Sequence, residues 1–158
     1  VLNFQIKEMV KKDLLFIVIQ FTLFACYFIL AEPPYIPNLT IWGYILWPLV
    51  ALGILVIIFG ILNLEENLTV FPSPKKKNTL ISNGIYKYVR HPIYTGILLI
   101  MFSYAFLKMS IILVVISSIL WLVLYFKSRL EEEYLVQRHS EYRDYKERTG
   151  RFFPKLFT

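Results

Sequence analysis

Asn83-Gly84-Ile85-Tyr86-Lys87-Tyr88-Val89-Arg90-His91-Pro92-Ile93-Tyr94-Thr95-Gly96 runs without interruption into an apolar block at 93–107. Asn83-Gly84 is a turn signal. Pro92 suits the first position of a helix, where its missing N–H would be unpaired anyway, so His91 is expected near the N-cap. A helix start presents free N–H groups and a partial positive charge, and Arg90 and His91 add to it. Gly84 and Gly96 allow close backbone approach. The stretch therefore reads as polar chemistry at the mouth of an apolar helix, suited to a carboxylate or phosphate. Anchoring of the helix end to lipid headgroups by Arg90 and His91 explains the same residues equally well.

Three further apolar blocks accompany it, at 14–30, 41–62 and 110–126. The first, 17 residues long, makes a helix of about 26 Å, close to the ~30 Å hydrocarbon core. The prolines at 33, 34 and 37 end it. No small-residue cleavage site follows, so it is expected to be a retained span. Trp42, Tyr44 and Trp47 open the second block as an aromatic belt. Pro48 is expected to kink it, and Gly43, Gly53 and Gly60 offer close packing sites. Lys108 separates the third block from the fourth, which makes those two a helical hairpin. From Lys127 a helical, polar pattern continues to about Arg148. The fold class expected is all-α integral membrane, with four transmembrane helices and a C-terminal cytoplasmic amphipathic helix in a single membrane domain over 1–158.

Composition agrees. The chain is 57% apolar and 18% charged, against roughly 45–50% and about 25% for a globular protein. The net charge of +6 is distributed for a membrane surface rather than for nucleic acid. Every lysine and arginine except Lys108 falls before the first block, between the second and third, or after the fourth. The positive-inside rule makes that face cytoplasmic, with both termini and the 83–96 stretch on it. Lys75, Lys76 and Lys77 read as a contact for anionic headgroups. The single cysteine, Cys26, reads as a small buried hydrophobe, and no metal site is expected.

The polar tail holds the second constellation. At 100° per residue Glu131, Leu135, Arg138, Tyr142 and Tyr145 share one face, and Glu132 and His139 another. They line a polar pocket, or they belong to an amphipathic helix on the interface with ordinary i,i+4 pairs at Asp144–Arg148 and Glu147–Arg151. No Walker loop, HExxH or GxGxxG is present.

Taken together, the two constellations resemble a known family. Residues 84–96 are similar to the G-x-Y-x-Y-x-R-H-P-x-Y-x-G signature of the isoprenylcysteine carboxyl methyltransferases, membrane enzymes related to the phospholipid N-methyltransferases. Glu131-Glu132, Leu135, Tyr142, Tyr145 and Arg151-Phe152-Phe153-Pro154 match that family's downstream pattern, and Phe71-Pro72-Ser73-Pro74 resembles its bacterial members. The resemblance covers roughly 70–155. His139-Ser140 and Thr149-Gly150 depart from it, where the family often has Phe-Gly and Val-Pro.

The resemblance implies S-adenosylmethionine as methyl donor, bound between the elements at 70–96 and 127–155. The donor-binding residues it implies are Gly84, Tyr86, Tyr88, Val89, Arg90, His91, Pro92, Tyr94, Gly96, Glu131 and Glu132. His91 and the helix start would hold the donor's carboxylate, the tyrosines its adenine or sulfonium, and the two glutamates its ribose or amino group. Arg138, then Arg90, would meet an acceptor carboxylate, with Glu132 also a candidate catalytic residue. The acceptor expected is lipid-like or a small hydrophobic molecule drawn from the membrane. A nicotinamide-dependent sterol-type reductase and a non-catalytic lipid-binding protein are the competing readings. No oligomeric state is read from the sequence.

Overall fold

The structure is a computed structural model. It describes residues 2–31, 41–64 and 80–155, with the side chains of 2–10 and 41–42 excepted. The turn at 32–38, the Trp42 ring, Glu65, Glu66, and the 71–77 segment with its prolines and lysines lie outside the described residues. Among the described residues there are five α-helices and no strand: α1 (Leu2–Leu30), α2 (Ile41–Leu64), α3 (Pro92–Leu107), α4 (Ile111–Arg138) and α5 (Tyr142–Arg148). A 3-10 turn, Gly84–Lys87, precedes α3.

Three of these helices contain stretches long and apolar enough to cross a bilayer: Lys11–Leu30, Gly43–Leu64 and Ile111–Arg138. Their large side chains face outward, Phe28, Ile29, Tyr44, Phe59, Ile111 and Phe126 among them. In water such a surface would aggregate; in lipid it is the solvent-facing side. The chain is a membrane protein. The fourth expected span, α3, is an apolar helix of 16 residues, about 24 Å long, short of the ~30 Å core.

Residue pairs fix the helix directions. Gly53 of α2 meets Gly96 and Ile100 of α3, and Gly60 meets Ile93, so the two helices run antiparallel. Their contact is the most extensive in the protein, and its cause is sequence: a Cβ on Gly96 would lie 2.5 Å from the Gly53 carbonyl oxygen. Small residues let the backbones approach in an environment where apolar burial alone drives nothing together. Among the described residues, a Cβ on Gly43 would meet only its own helix's Trp47, at 4.0 Å. The helix α2 passes through Pro48 as one element.

The first helix lies antiparallel to α4. Gln20 reaches Lys127, and the Tyr27 hydroxyl donates to the Met101 carbonyl at 2.6 Å. At the far end, the α3–α4 hairpin turns through Lys108 and Met109. Ser110 caps α4, its hydroxyl accepting from the Leu113 N–H. The C-terminal end of α2, the start of α3, the C-terminal half of α4, α5 and the tail are thereby gathered at one end of the bundle.

Three expectations are corrected. The polar helix after Lys127 is a continuation of α4, and it stops at Arg138. The segment at 139–141 breaks it, so α5 is a separate seven-residue helix. Hence Tyr142 and Tyr145 do not continue the face of Glu131. A buried charge network at Glu132, described below, redirects the chain there. Cys26 is exposed on the lipid-facing side of α1, because Tyr27 is the residue that turns inward at that level. The Glu147–Arg151 pair is replaced by Arg151 bonding Glu132.

Gly96→Val is expected to destabilise the fold by about 1–3 kcal/mol through overpacking against Gly53, whereas Gly43→Ala should leave the melting temperature in detergent unchanged. Equal melting temperatures for both variants would contradict this packing.

Candidate functional site

The 3-10 turn positions the start of α3. Gly84 sits at φ +55°, a conformation that favours glycine, and a Cβ there would collide with Asn63 at 2.0 Å. Asn63, on the last turn of α2, accepts the Ile85 N–H at 2.9 Å. The Tyr86 hydroxyl donates to the Gly60 carbonyl, and the Tyr86 carbonyl accepts from the Tyr145 hydroxyl at 2.7 Å. Burial raises the Tyr86 phenol, and it pushes that of Tyr145 up to about 12, so both remain neutral donors.

Backbone pairing then fixes the tail beside that turn. Val89 and Gly150 form an isolated parallel bridge. Arg90 N–H donates to Gly150, His91 N–H to Arg151, and Gly150 N–H to Tyr88. The Thr95 hydroxyl donates to the Phe152 carbonyl at 2.7 Å. A side chain at Gly150 would overlap the Phe153 carbonyl, so the departure from the family pattern at Thr149-Gly150 is accommodated by a tight local turn.

Glu132 is the centre of the polar cluster. Its side chain is 1% exposed. Arg90 Nε meets Oε1 at 2.9 Å, and Arg151 forks onto both oxygens at 3.1 and 2.8 Å. Lys146 Nζ lies 3.1 Å from Oε2, and His91 Nε2 lies 3.4 Å from Oε1. A lone buried carboxylate would cost several kcal/mol; this density of cations offsets the cost. Arg90 also donates to the Lys146 carbonyl at 3.0 Å and to that of Thr149, so its guanidinium caps the C-terminal end of α5. Arg151 stacks over the Tyr125 ring at 4.9 Å. Its partner Glu132 outweighs the opposing effect of burial and raises its pKa further.

Glu131 is placed differently. Its side chain is 16% exposed, at the open edge of the cluster. Tyr94 Oη donates to Oε1 at 2.6 Å, and His91 Nδ1 lies 3.3 Å from Oε2. The His91 and Tyr94 rings are parallel, 5.4 Å between centroids. His91 thus stands between two carboxylates, one on each nitrogen, an arrangement that suits an imidazolium with two N–H donors. Burial opposes that charge, but Glu131 and Glu132 outweigh it and raise the pKa. His91 Nε2 completes no well-aligned hydrogen bond despite its burial.

The expected site residues therefore separate into groups. Glu131, Glu132, Arg90, His91 and Tyr94 come together. Tyr86, Val89, Pro92 and Gly96 are buried and engaged in packing. Tyr88 is exposed beneath the Lys87 ammonium. Arg138 is exposed on the last turn of α4. Asn63, Lys127, Lys146 and Thr149 join the site without having been expected. Asn63 and Lys127 carried a signal, each being a polar residue that ends an apolar block. Lys146 and Thr149 carried none, since only the break at 139–141 returns α5 to Glu132.

Among the described residues no His, Cys, Asp and Glu group is arranged to hold a metal. S-adenosylmethionine carries a carboxylate, an ammonium, a sulfonium and ribose hydroxyls. His91 and the part-exposed Glu131 are the groups whose chemistry fits its carboxylate and its amino or hydroxyl groups, whereas Arg90 is committed to Glu132 and the end of α5.

Glu132→Gln is expected to lower stability by about 3–5 kcal/mol, because it leaves buried cations uncompensated; chemical unfolding in detergent measures it. The raised His91 pKa also sets a pH dependence. Its stabilising contribution is fully present below the unfolded value of about 6.5 and is lost as pH climbs through the higher folded value. His91→Gln should flatten that part of the stability profile, and an unchanged profile would contradict the two-carboxylate bridge.

The chain is 30% identical over 88 residues to the cobalt-zinc-cadmium resistance protein CzcN of Cupriavidus metallidurans, covering 55% of this chain and 41% of that protein. The match spans about two fifths of this relative's length. The sequence profile of the phospholipid methyltransferases matches residues 39–142, from the start of α2 to the start of α5. With two thirds of its length matched, including Arg90, His91, Tyr94, Glu131 and Glu132, the chain belongs to the phospholipid methyltransferase family.

Proposed function

We propose that the protein is an S-adenosylmethionine-dependent methyltransferase, similar to the isoprenylcysteine carboxyl O-methyltransferases, that acts on a lipid-like or amphiphilic acceptor. The observation that carries this reading is the pairing of a sealed carboxylate with an open one. Glu132 is consumed by Arg90, Arg151 and Lys146, while its neighbour Glu131 stays accessible between Tyr94 and His91 at the edge of the apolar bundle.

When bound, the donor supplies an electrophilic methyl group on a sulfonium. The chain's residues have little acid–base work to do in an in-line displacement; they hold both reactants in line and exclude water. Glu131 accepts bonds from the donor's amino group or ribose hydroxyls. His91 and the N–H groups at the start of α3 face its carboxylate. Tyr94, stacked on His91 and approached by the Lys127 ammonium, orients the Glu131 carboxylate through its 2.6 Å hydrogen bond. Arg90 and Glu132 hold these groups rather than touching the acceptor, since both are committed to the α5 and tail contacts. Arg138 is the cation we assign to an anionic acceptor.

In this reading all four long helices cross the bilayer, α3 with the help of interfacial residues at both ends. The Glu132 cluster, with both described chain ends, faces the cytoplasm, in keeping with the distribution of basic residues. The acceptor enters sideways from the lipid, which accounts for the placement of a methyl-donor site against a membrane-spanning helix.

Titration of the detergent-purified protein with S-adenosylhomocysteine tests the reading. Saturable binding, absent for a nicotinamide nucleotide and weakened at least tenfold by Glu131→Gln with the melting temperature retained, is the expected result. Binding of the nucleotide instead would establish the reductase reading.

A further inference from the structure

On α4, Lys127 lies one turn before Glu131, on the same face, directly after the apolar run ends at Phe126. A lysine there ordinarily snorkels toward water. Lys127 does the reverse and is 2% exposed. Its Nζ donates to Gln20 Oε1 at 2.9 Å and lies 5.4 Å from the centroid of the Tyr94 ring. Glu131 and Asp13 supply compensating charge. Gln20 is itself buried at 7% exposure in the apolar stretch of α1.

Burial of an ammonium and an amide among apolar helices is expensive and marks function more often than anchoring. The position of Lys127 supplies the function: its ammonium lies over the Tyr94 ring and one turn from Glu131, the two groups at the edge of the site, from the bilayer side. The helix that holds it there, α1, lies outside the segment matched by the family.

We propose that Lys127, held by Gln20, is a positioning residue that poises Tyr94 and Glu131, so that α1 is a working part of the site and not only an anchor. The proposal rests on the methyl-donor reading for what the poised groups bind. It does not rest on it for the link between α1 and the cluster. The Gln20 amide orients the ammonium. The ammonium fixes the Tyr94 ring and the Glu131 carboxylate, and through them His91. Lys127→Arg keeps the charge and a donor for Gln20; Lys127→Met and Gln20→Leu keep the apolar packing and remove the link.

Two measurements on the full-length protein in detergent test this. The first is affinity for S-adenosylhomocysteine. The second is the imidazole resonance of His91, assignable because the chain has two histidines and His139→Gln identifies the other. The expected result is that Lys127→Met and Gln20→Leu each shift the His91 signal and weaken binding at least tenfold, while Lys127→Arg restores most of both. Wild-type binding that none of the variants changes, with His91 unmoved, overturns the proposal and leaves the donor reading standing. No wild-type binding, but a shifted His91 signal, overturns the donor reading and leaves the α1 link supported. Failure of both readouts removes both. A loss in Lys127→Met that Lys127→Arg does not restore, with Gln20→Leu silent, assigns Lys127 to packing alone and also overturns the proposal.

Discussion

The architecture of the polar end depends on one buried carboxylate. Glu132 is buried in the polar last turns of α4, and a charge in that position is tolerable only when surrounded by cations. Those cations come from four places: Arg90 before α3, His91 at its N-cap, Lys146 in α5, and Arg151 in the tail. Satisfying Glu132 therefore folds the chain after Arg138 back onto the start of α3. The break at 139–141, the short helix α5 and the parallel backbone pairing at Gly150 all serve that return.

With the tail fixed, the adjacent residue takes the other role. Neighbouring helix positions point about 100° apart, so if Glu132 faces the cations, Glu131 faces the edge of the cluster. Tyr94 and His91 meet it there. In the run Glu131-Glu132-Glu133, Glu132 organises the cluster, Glu131 stands at its edge, and Glu133 is exposed and pairs with Arg129. The close α2–α3 contact at Gly53 and Gly96 has a related effect, because it carries Asn63 and Gly60 to the turn that sets Arg90 and His91.

Much of this was legible in the sequence. The four apolar blocks, the helix start at Pro92 and the partnership of 84–96 with the tail follow from hydrophobic length, proline chemistry and motif spacing. The packing role of Gly53 and Gly60 was also visible. The continuity of α4 and α5 was misread because their periodicity is compatible with one helix, and only the tertiary pull of Glu132 separates them. The division between Glu131 and Glu132 was not legible, since it depends on which neighbour the cations reach first. The Gln20–Lys127 link was equally hidden: each is a single polar residue at or within an apolar block, and only the antiparallel register of α1 and α4 pairs them.

In the proposed function the Glu131 edge binds a methyl donor whose methyl passes to a molecule in the membrane. Incubation of the membrane-reconstituted protein with methyl-labelled S-adenosylmethionine and a native lipid extract, followed by solvent partition, tests it directly. Label in an organic-phase product with the wild type, and at least a tenfold loss with Glu131→Gln, is the expected result. Label confined to the aqueous phase, or organic-phase label that Glu131→Gln leaves unchanged, would contradict it.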